Sequence, residues 1–464
     1  MVNKRLIKKS GIYFIGNLSS KIMSAILIPI YAFYINTEDL GMYDFSQTVM
    51  GVLSPIIILA IWEAVLKFVL SEDDTEKQRK IMSTSAIFSL VMNLVFIIIA
   101  NIFNWFDVVG IRYFGLVITM ILLHTLVQVW QYYARATSNN KLYVLAGIVS
   151  TIVNFVCILI FVVFLKYGLF GLLVSYNIGQ LSIIIIIERK LKVLKKIKIY
   201  DFDYSLLKRM LIFSSPLVLN LISAWFISGF GRIIITLKLG NEANGLYSFA
   251  NKFSLIITMI GSVITMAIIE EAILSTKAKQ LDKNFNKTLQ GLFMIFQTLA
   301  LLGVPAIVIF YEVIAETEYY TSLIFAPWLL IYAVSNTMAS NIGSVFQAID
   351  KTKYQFTTTV LGGVITFAIS WLFIDKIGIS AVIIGQILGA IVMLVTRYIL
   401  VNRFTEMKLN WTPILSMLLI FIFTIILTTN SHYLISVALE ILIIFIICFK
   451  NKNQFIELFK RMKR

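Results

Sequence analysis

Apolar stretches about twenty residues long recur along the whole chain, and that recurrence limits its possible folds more than any single motif. A helix crossing a bilayer needs about 20 apolar residues, because about 30 Å of hydrocarbon must be covered at about 1.5 Å per residue. No water is present there to satisfy the backbone, so the crossing segments must be helices or a closed barrel. Fourteen spans are expected, at roughly 11–35, 43–70, 81–103, 113–134, 142–165, 168–188, 210–237, 246–274, 288–314, 322–348, 354–374, 378–400, 412–429 and 433–449. Composition agrees, with 59% hydrophobic and only 14% charged residues, whereas soluble proteins carry about 25% charged. The expectation is an all-α integral membrane protein with 14 transmembrane helices. The first run is long and contains Lys21, so it reads as a spanning helix and not as a removable signal peptide.

Charge sets the orientation. With the amino terminus inside and strict alternation, 32 of the 40 Lys/Arg fall on inside segments, Arg397 at the inner end of span 378–400 being counted with the loop that follows it. Four fall on outside loops (Arg112, Lys166, Lys238 and Lys376) and four within spans (Lys21, Lys67, Arg232 and Lys252). Basic residues stay on the cytoplasmic side, so both termini are expected there. The net charge of +16 is then a topology signal, which argues against nucleic acid as a partner. The largest inside segment, Glu188 to Arg209, alternates lysines with Leu, Val and Ile. It suits a linker lying on an anionic leaflet and equally a solvated connector that only sets topology. The tail Gln454 to Arg464 has the same character. The acidic run Glu72 to Asp74 ends in KQRK and reads as solvated charge. Cys157, Cys448, His124 and His432 lie apart along the chain and make no metal-binding constellation, so no metal or cofactor is expected.

A weak repeat organises the spans. TEDLGMYDFSQTVM, Thr37 to Met50, returns 204 residues later as NEANGLYSFANKFS, Asn241 to Ser254. Glu38, Gly41, Tyr43 and Phe45 match Glu242, Gly245, Tyr247 and Phe249. A second echo sets NNKLYVLAG at Asn139 beside DKTKYQFTT at Asp350, with Tyr143 on Tyr354 and Gly168 on Gly378. The repeating unit holds six spans, an even number, so both copies enter the membrane the same way up. Two six-helix lobes related by a pseudo-twofold axis along the membrane normal follow, with two extra C-terminal helices. The expected divisions are 1–188 for the N-lobe, 189–209 for the basic cytoplasmic linker, 210–401 for the C-lobe and 402–464 for the last two spans and the tail. Such lobes around a central cavity suit alternating access. Gly41 and Gly245 are expected at tight outside turns, where a residue without Cβ is cheapest.

Six plus six helices, Leu40–Gly41 with Tyr43 in an outside turn, the echo Gly245 to Ser248, SSPLVLN at Ser214 to Asn220 and the terminal helix pair resemble a known family. It is the polysaccharide-flippase branch of the multidrug/oligosaccharidyl-lipid/polysaccharide (MOP) exporter superfamily. The resemblance implies movement of an undecaprenyl-pyrophosphate-linked oligosaccharide across the bacterial cytoplasmic (inner) membrane, for capsule, O-antigen or a similar surface glycan. Expected partners are the polyprenyl-pyrophosphate-linked glycan and membrane lipids, with glycan-synthesis machinery as a further candidate and the chain itself a monomer.

Charges inside spans are costly and therefore functional candidates. Lys21, Arg232 and Lys252 are the expected cavity cations, matched to a doubly charged pyrophosphate, with snorkelling to headgroups the competing reading for the last two. Asn17, Gln47, Asn220 and Trp225, on spans one, two and seven, are the expected sugar contacts; helix–helix packing is their competing role. Glu63 and Lys67 stand four residues apart, which suits an intrahelical pair. Alternatively Lys67 meets Glu270 or Glu271 as an inner gate, and Glu63, Glu270 and Glu271 are candidate ion couplers. Span one has no carboxylate, which departs from a drug/cation antiporter of the same superfamily. A peptidoglycan-precursor (lipid II) flippase remains the nearest alternative. A membrane glycan polymerase would need a large outside loop, and the longest here is about a dozen residues. The expected protein is a transporter and not an enzyme.

Overall fold

The computed structural model describes residues 23, 25–106, 111–277, 284–349, 351–405, 407, 409–429 and 433–450. Among them the structure is helical, with no strands. The helices are α1 (Ala25–Tyr34), α2 (Thr37–Ile57), α3 (Ile61–Leu70), α4 (Thr75–Trp105), α5 (Phe114–Ala136), α6 (Asn140–Ile158) and α7 (Gly168–Leu191). Then come α8 (Val193–Lys196), α9 (Tyr204–Lys277), α10 (Asn284–Val313), α11 (Ala326–Ala348), α12 (Thr352–Ile377), α13 (Ile379–Asn402), α14 (Trp411–Thr429) and α15 (Tyr433–Lys450). Among the described residues eight helices are long and apolar enough to cross a membrane, or ten if two bent pairs each count as one span. The chain is a multi-pass membrane protein.

The expected second span, 43–70, is two helices. α2 and α3 meet at a 56° bend. Pro55 lacks the N–H that would continue the ladder, and Leu59 and Ala60 then take left-handed conformations with φ of 48° and 47°. Spans seven and eight, in contrast, run through α9 with one break. Gly240 sits there at φ 89°, ψ 178°, a conformation open to glycine at little cost.

The chain divides into two compact units, Met1–Gly245 and Leu246–Arg464. In the first, α5 packs against α2, α3, α4, α6 and α7, and α6 lies along α7. Small residues let these helices approach closely, as membrane helices generally require: Ser150 Oγ donates to the Gly179 carbonyl at 2.7 Å. In the second unit α13 packs against α11 and α12, while α10 packs against α11, α14 and α15. Gln297 Nε2 holds α14 by donating to the Ile414 carbonyl at 3.0 Å. Along α4, Leu90, Leu94, Ile98 and Ile102 stay exposed, as lipid-facing side chains would.

Candidate functional site

The site is built on α2, whose start is fixed by Asn36. The Asn36 side chain accepts the Asp39 N–H at 2.7 Å, capping one of the helix's free donors. Glu38 and Asp39 in the first turn suit the positive end of the helix dipole. From that start the 3.6-residue period sends Asp44, Thr48 and Gly51 to one face and Tyr43, Gln47 and Met50 to another.

The first face meets the part of α9 that precedes Gly240. Arg232 Nε lies 2.9 Å from Asp44 Oδ2, with the two side chains 17% and 15% exposed. The N–H is not aligned on that oxygen, so this is a charge contact and not a well-formed hydrogen bond. Two turns deeper, Trp225 Nε1 donates to the Thr48 carbonyl at 3.0 Å. Its indole lies against two glycines: a Cβ at Gly51 would come within 3.3 Å of the ring and one at Gly229 within 2.6 Å. Trp225, Gly229 and Arg232 follow helical spacing, as do their partners Gly51, Thr48 and Asp44. The two faces therefore run antiparallel in register.

The second face meets α7. Gln47 is half-buried and stands one helical turn from Tyr43. Tyr43 and Tyr176 rings meet edge to face at 6.5 Å, and Tyr176 Oη donates to Met50 Sδ at 3.4 Å. The result is a hydroxyl and amide surface beside the charged one.

At the Asn36 end, α2 and α9 touch backbone to backbone. A Cβ on Gly41 would overlap the Asn241 carbonyl oxygen and stand 2.8 Å from Gly245 N. A Cβ on Gly245 would overlap the Thr37 carbonyl oxygen. The two contacts are reciprocal under the 204-residue offset, since Thr37 answers Asn241 and Gly41 answers Gly245. Asn244 Nδ2 donates to the Gly41 carbonyl at 2.9 Å across the same contact. Both glycines are helical and not in turns, contrary to expectation; close approach is what requires them, and the turn falls at Gly240.

Asp39 gathers the neighbouring loops. It pairs with Arg112 and accepts the Leu169 N–H at 3.0 Å, and a Cβ on Gly168 would stand 2.6 Å from its Oδ2. One carboxylate thus ties the start of α2 to the starts of α5 and α7.

The remaining expected residues are dispersed. Asn17 and Lys21 lie outside the described residues, as do the side chains of Asn220, Glu270 and Glu271. Lys252 is half-buried on α9, within the second unit. Glu63 and Lys67 do not pair: Glu63 accepts the Tyr132 hydroxyl at 3.1 Å, and Lys67 Nζ sits 3.9 Å over the Phe213 ring. The 56° bend places them on a separate short helix, where each finds an aromatic partner from another helix.

Sequence reasoning passed over Asp39, Asp44 and Arg397. Arg397 was counted with an inside loop, but it stands in α13 and is 4% exposed. Its Nη1 donates to the Ala339 carbonyl at 2.7 Å, its Nη2 to Thr359 Oγ1 at 2.6 Å and its Nε to Thr358 Oγ1 at 3.0 Å. Gly343 leaves room for it, since a Cβ there would fall 2.6 Å from Nη1. This guanidinium staples α11, α12 and α13 within the second unit.

A family profile described as "Polysaccharide biosynthesis protein" matches residues 6–270. Among solved structures, the chain is similar to a lipid II flippase MurJ in an inward closed conformation, at 15% identity and TM-score 0.70, covering 97% of this chain and 100% of that one. It is also similar to an inward-facing multidrug resistance MATE family transporter of the MOP superfamily, at 16% identity and TM-score 0.66, covering 84% and 97%. An outward-facing MATE transporter matches at 16% identity and TM-score 0.55, covering 86% and 95%. None of the curated proteins compared with the chain matches it.

Proposed function

The chain belongs to the polysaccharide biosynthesis protein family and has the fold of MOP-superfamily transporters, and on that premise we propose that it flips a lipid-linked glycan. The cargo in this reading is an undecaprenyl-pyrophosphate-linked oligosaccharide repeat unit, carried across the bacterial cytoplasmic membrane for capsule, O-antigen or a similar surface polysaccharide. Two six-helix lobes, 1–188 and 210–401, would alternate access around a central cationic cavity, with both termini cytoplasmic.

The Arg232–Asp44 contact carries the reading. A cation at membrane depth is balanced there by a carboxylate that an incoming anion can replace. A pyrophosphate oxygen would take the place of Asp44, and the planar guanidinium can hold such a group through two parallel hydrogen bonds. Lys21 and Lys252 would supply further charge. Asn17, Gln47, Asn220 and Trp225 would meet sugar hydroxyls and ring faces. Glu63, Lys67, Glu270 and Glu271 are the candidates for gating and ion coupling. The reciprocal Gly41–Gly245 approach supports closure at the outer end while the headgroup enters from the cytoplasm.

The second reading is a peptidoglycan-precursor flippase. The full-length fit to the lipid II flippase MurJ favours it, although at 15% identity that likeness speaks for the fold alone. The decisive experiment is deletion of the gene followed by identification of the lipid-linked glycan that accumulates on the cytoplasmic face. Complementation with Lys21→Ala or Arg232→Gln should reproduce the accumulation at normal protein level. Full export by both variants would overturn the cavity assignment, and accumulation of lipid II would replace the cargo.

A further inference from the structure

The linker between α7 and α9 has two unlike sides. One side is bolted to the first turns of α4. Ser83 Oγ donates to the Lys196 carbonyl at 3.3 Å and accepts the Lys198 N–H at 3.2 Å. Asp201 Oδ2 meets Arg79 Nε at 3.0 Å, and Thr84 Oγ1 accepts the Asp203 N–H at 3.2 Å. Glu188 closes the near end, both its oxygens accepting the Leu194 N–H at 3.1 and 3.0 Å after the left-handed Lys192. Val193 and Asp201 are buried beneath.

The other side faces away bare. Ile199 is 84% exposed, Tyr200 77% and Tyr204 72%, with Leu194 and Phe202 also exposed. Lys192 and Lys195 are exposed among them, Lys198 Nζ lies 5.3 Å from the centre of the Tyr200 ring, and Lys196, also exposed, has its Nζ 6.0 Å from the centre of the Tyr133 ring of α5. Residues 189–200 contain no acid. The nearest acids are already engaged, Glu188 by the Leu194 N–H, Asp201 by Arg79 and Asp203 by the start of α9. Basic charge therefore stays in excess on this side, and it is interleaved with apolar bulk.

The depth of the shelf identifies what it meets. α4 has 31 residues and is about 46 Å long, while hydrocarbon is about 30 Å thick. The linker grips α4 at Arg79 to Thr84, between its fifth and tenth residues, where the polar first turns give way to the expected span at 81–103, the headgroup edge of the hydrocarbon. Cations at that level find lipid phosphates, and Tyr and Ile find the boundary of the acyl chains.

We propose that residues 189–204 form a docking plate for anionic phospholipid headgroups. It lies on the leaflet that the lysine distribution makes cytoplasmic. The lysines hold phosphates, and Ile199, Tyr200 and Tyr204 lodge at the hydrocarbon boundary. The plate acts whatever the cargo.

The test uses the full chain in nanodiscs of phosphatidylcholine, with or without one-third phosphatidylglycerol. A nitroxide is placed at Ile199→Cys or Tyr200→Cys in a Cys157→Ser, Cys448→Ser background, with Asp73→Cys as the aqueous control. Collision with oxygen should exceed collision with a water-soluble nickel chelate at 199 and 200, more so with phosphatidylglycerol, and the reverse should hold at 73. Each lysine near an anionic surface contributes about a fivefold preference. Gln at 192, 195, 196 and 198 together should therefore lower phosphatidylglycerol retention by at least about fivefold, and Arg at the same positions should restore it. Nickel accessibility at 199 and 200 matching that at 73, in both compositions, would overturn the proposal. So would unchanged lipid retention in the Gln variant, or a label that leaves water only on addition of a soluble acidic protein.

Discussion

Replacing Gly41 by alanine tests whether the Asn36 ends of α2 and α9 are truly joined backbone to backbone. The new Cβ would stand 2.7 Å from the Asn241 carbonyl carbon, besides overlapping its oxygen. Carbon pairs rest at about 3.5–4.0 Å, so the two backbones must part by about 1 Å. The obstacle is backbone on both sides, and no side chain can rotate away. Forced overpacking of this kind costs about 1–3 kcal/mol, and in the proposed alternating-access cycle that cost falls on the closed arrangement alone. A difference of 1.4 kcal/mol is about tenfold in an equilibrium, so the open form should gain about 5- to 150-fold in weight. Gly245→Ala should do the same, since its Cβ would stand 2.7 Å from the Thr37 carbonyl carbon. The double variant should add little to either single one, because both relieve one shared contact. The assay is the rate at which a membrane-impermeant maleimide reaches Thr48→Cys, a position 6% exposed on the face of α2 that meets α9. Rates within twofold of the parent in both alanine variants, with unchanged melting, would refute the reasoning.

Three more outcomes follow from single contacts. Asp44→Asn and Arg232→Gln should each destabilise the protein by about 1–3 kcal/mol, below the 3–5 of fully buried pairs because both groups keep some solvent, and the double variant should lose less than the sum; thermal melts of all four proteins measure the coupling. Arg397→Lys should cost about 2–4 kcal/mol, because an ammonium cannot reproduce the fork reaching Ala339, Thr358 and Thr359; melting in detergent should show the loss, and Met should be no worse than Lys. Asp203 is held below its ordinary value, first by the Leu206 N–H and then by the Ser205 N–H and hydroxyl and nearby Arg209. Its capping contribution is therefore present above about pH 4 and lost as pH falls through the lower folded value. Amide exchange at Ser205 and Leu206 should accelerate only on that acid side, and Asp203→Asn should remove the pH dependence.

The eight to ten spans found among the described residues were legible because hydrocarbon thickness dictates their length, and a run such as 354–374 against α12 at Thr352–Ile377 needs nothing else. The kink at Leu59 and Ala60 was not legible. Pro55 marks a weak point, but neither left-handed residue is a glycine or an asparagine. The glycine echo was visible and its role was misread for a general reason. Glycine serves both turns and close approach, and only a neighbour 200 residues away separates the two. The same limit hid Asp44. Helical period fixes the face on which a carboxylate stands, whereas Arg232 as its partner depends on how α9 packs. Arg397 was lost to a different confusion. A cation near the end of a span reads as a topology mark, yet Thr358 and Thr359 supply oxygens that let a guanidinium remain inside the protein.

These misreadings share a cause that bears on function. Acids are scarce in this chain, 24 against 40 basic residues, and in the first unit the informative ones are each committed to a particular donor. Asp39 is held by Arg112 and Leu169, Asp44 by Arg232, Asp201 by Arg79, and Asp203 by the start of α9. Net charge alone would spread the positive excess evenly over the inside loops. Pairing instead concentrates it where no acid remains, on the plate from 189 to 200. It also leaves Asp44 as a half-buried acid whose cation an anionic headgroup could compete for. If Asp44 only braced two helices, reversing the pair as Asp44→Arg with Arg232→Asp should restore both fold and export. If Arg232 must also greet a phosphate from its own helix, the reversed pair should restore melting but not export, and that separation of stability from transport is what a bracing role cannot produce.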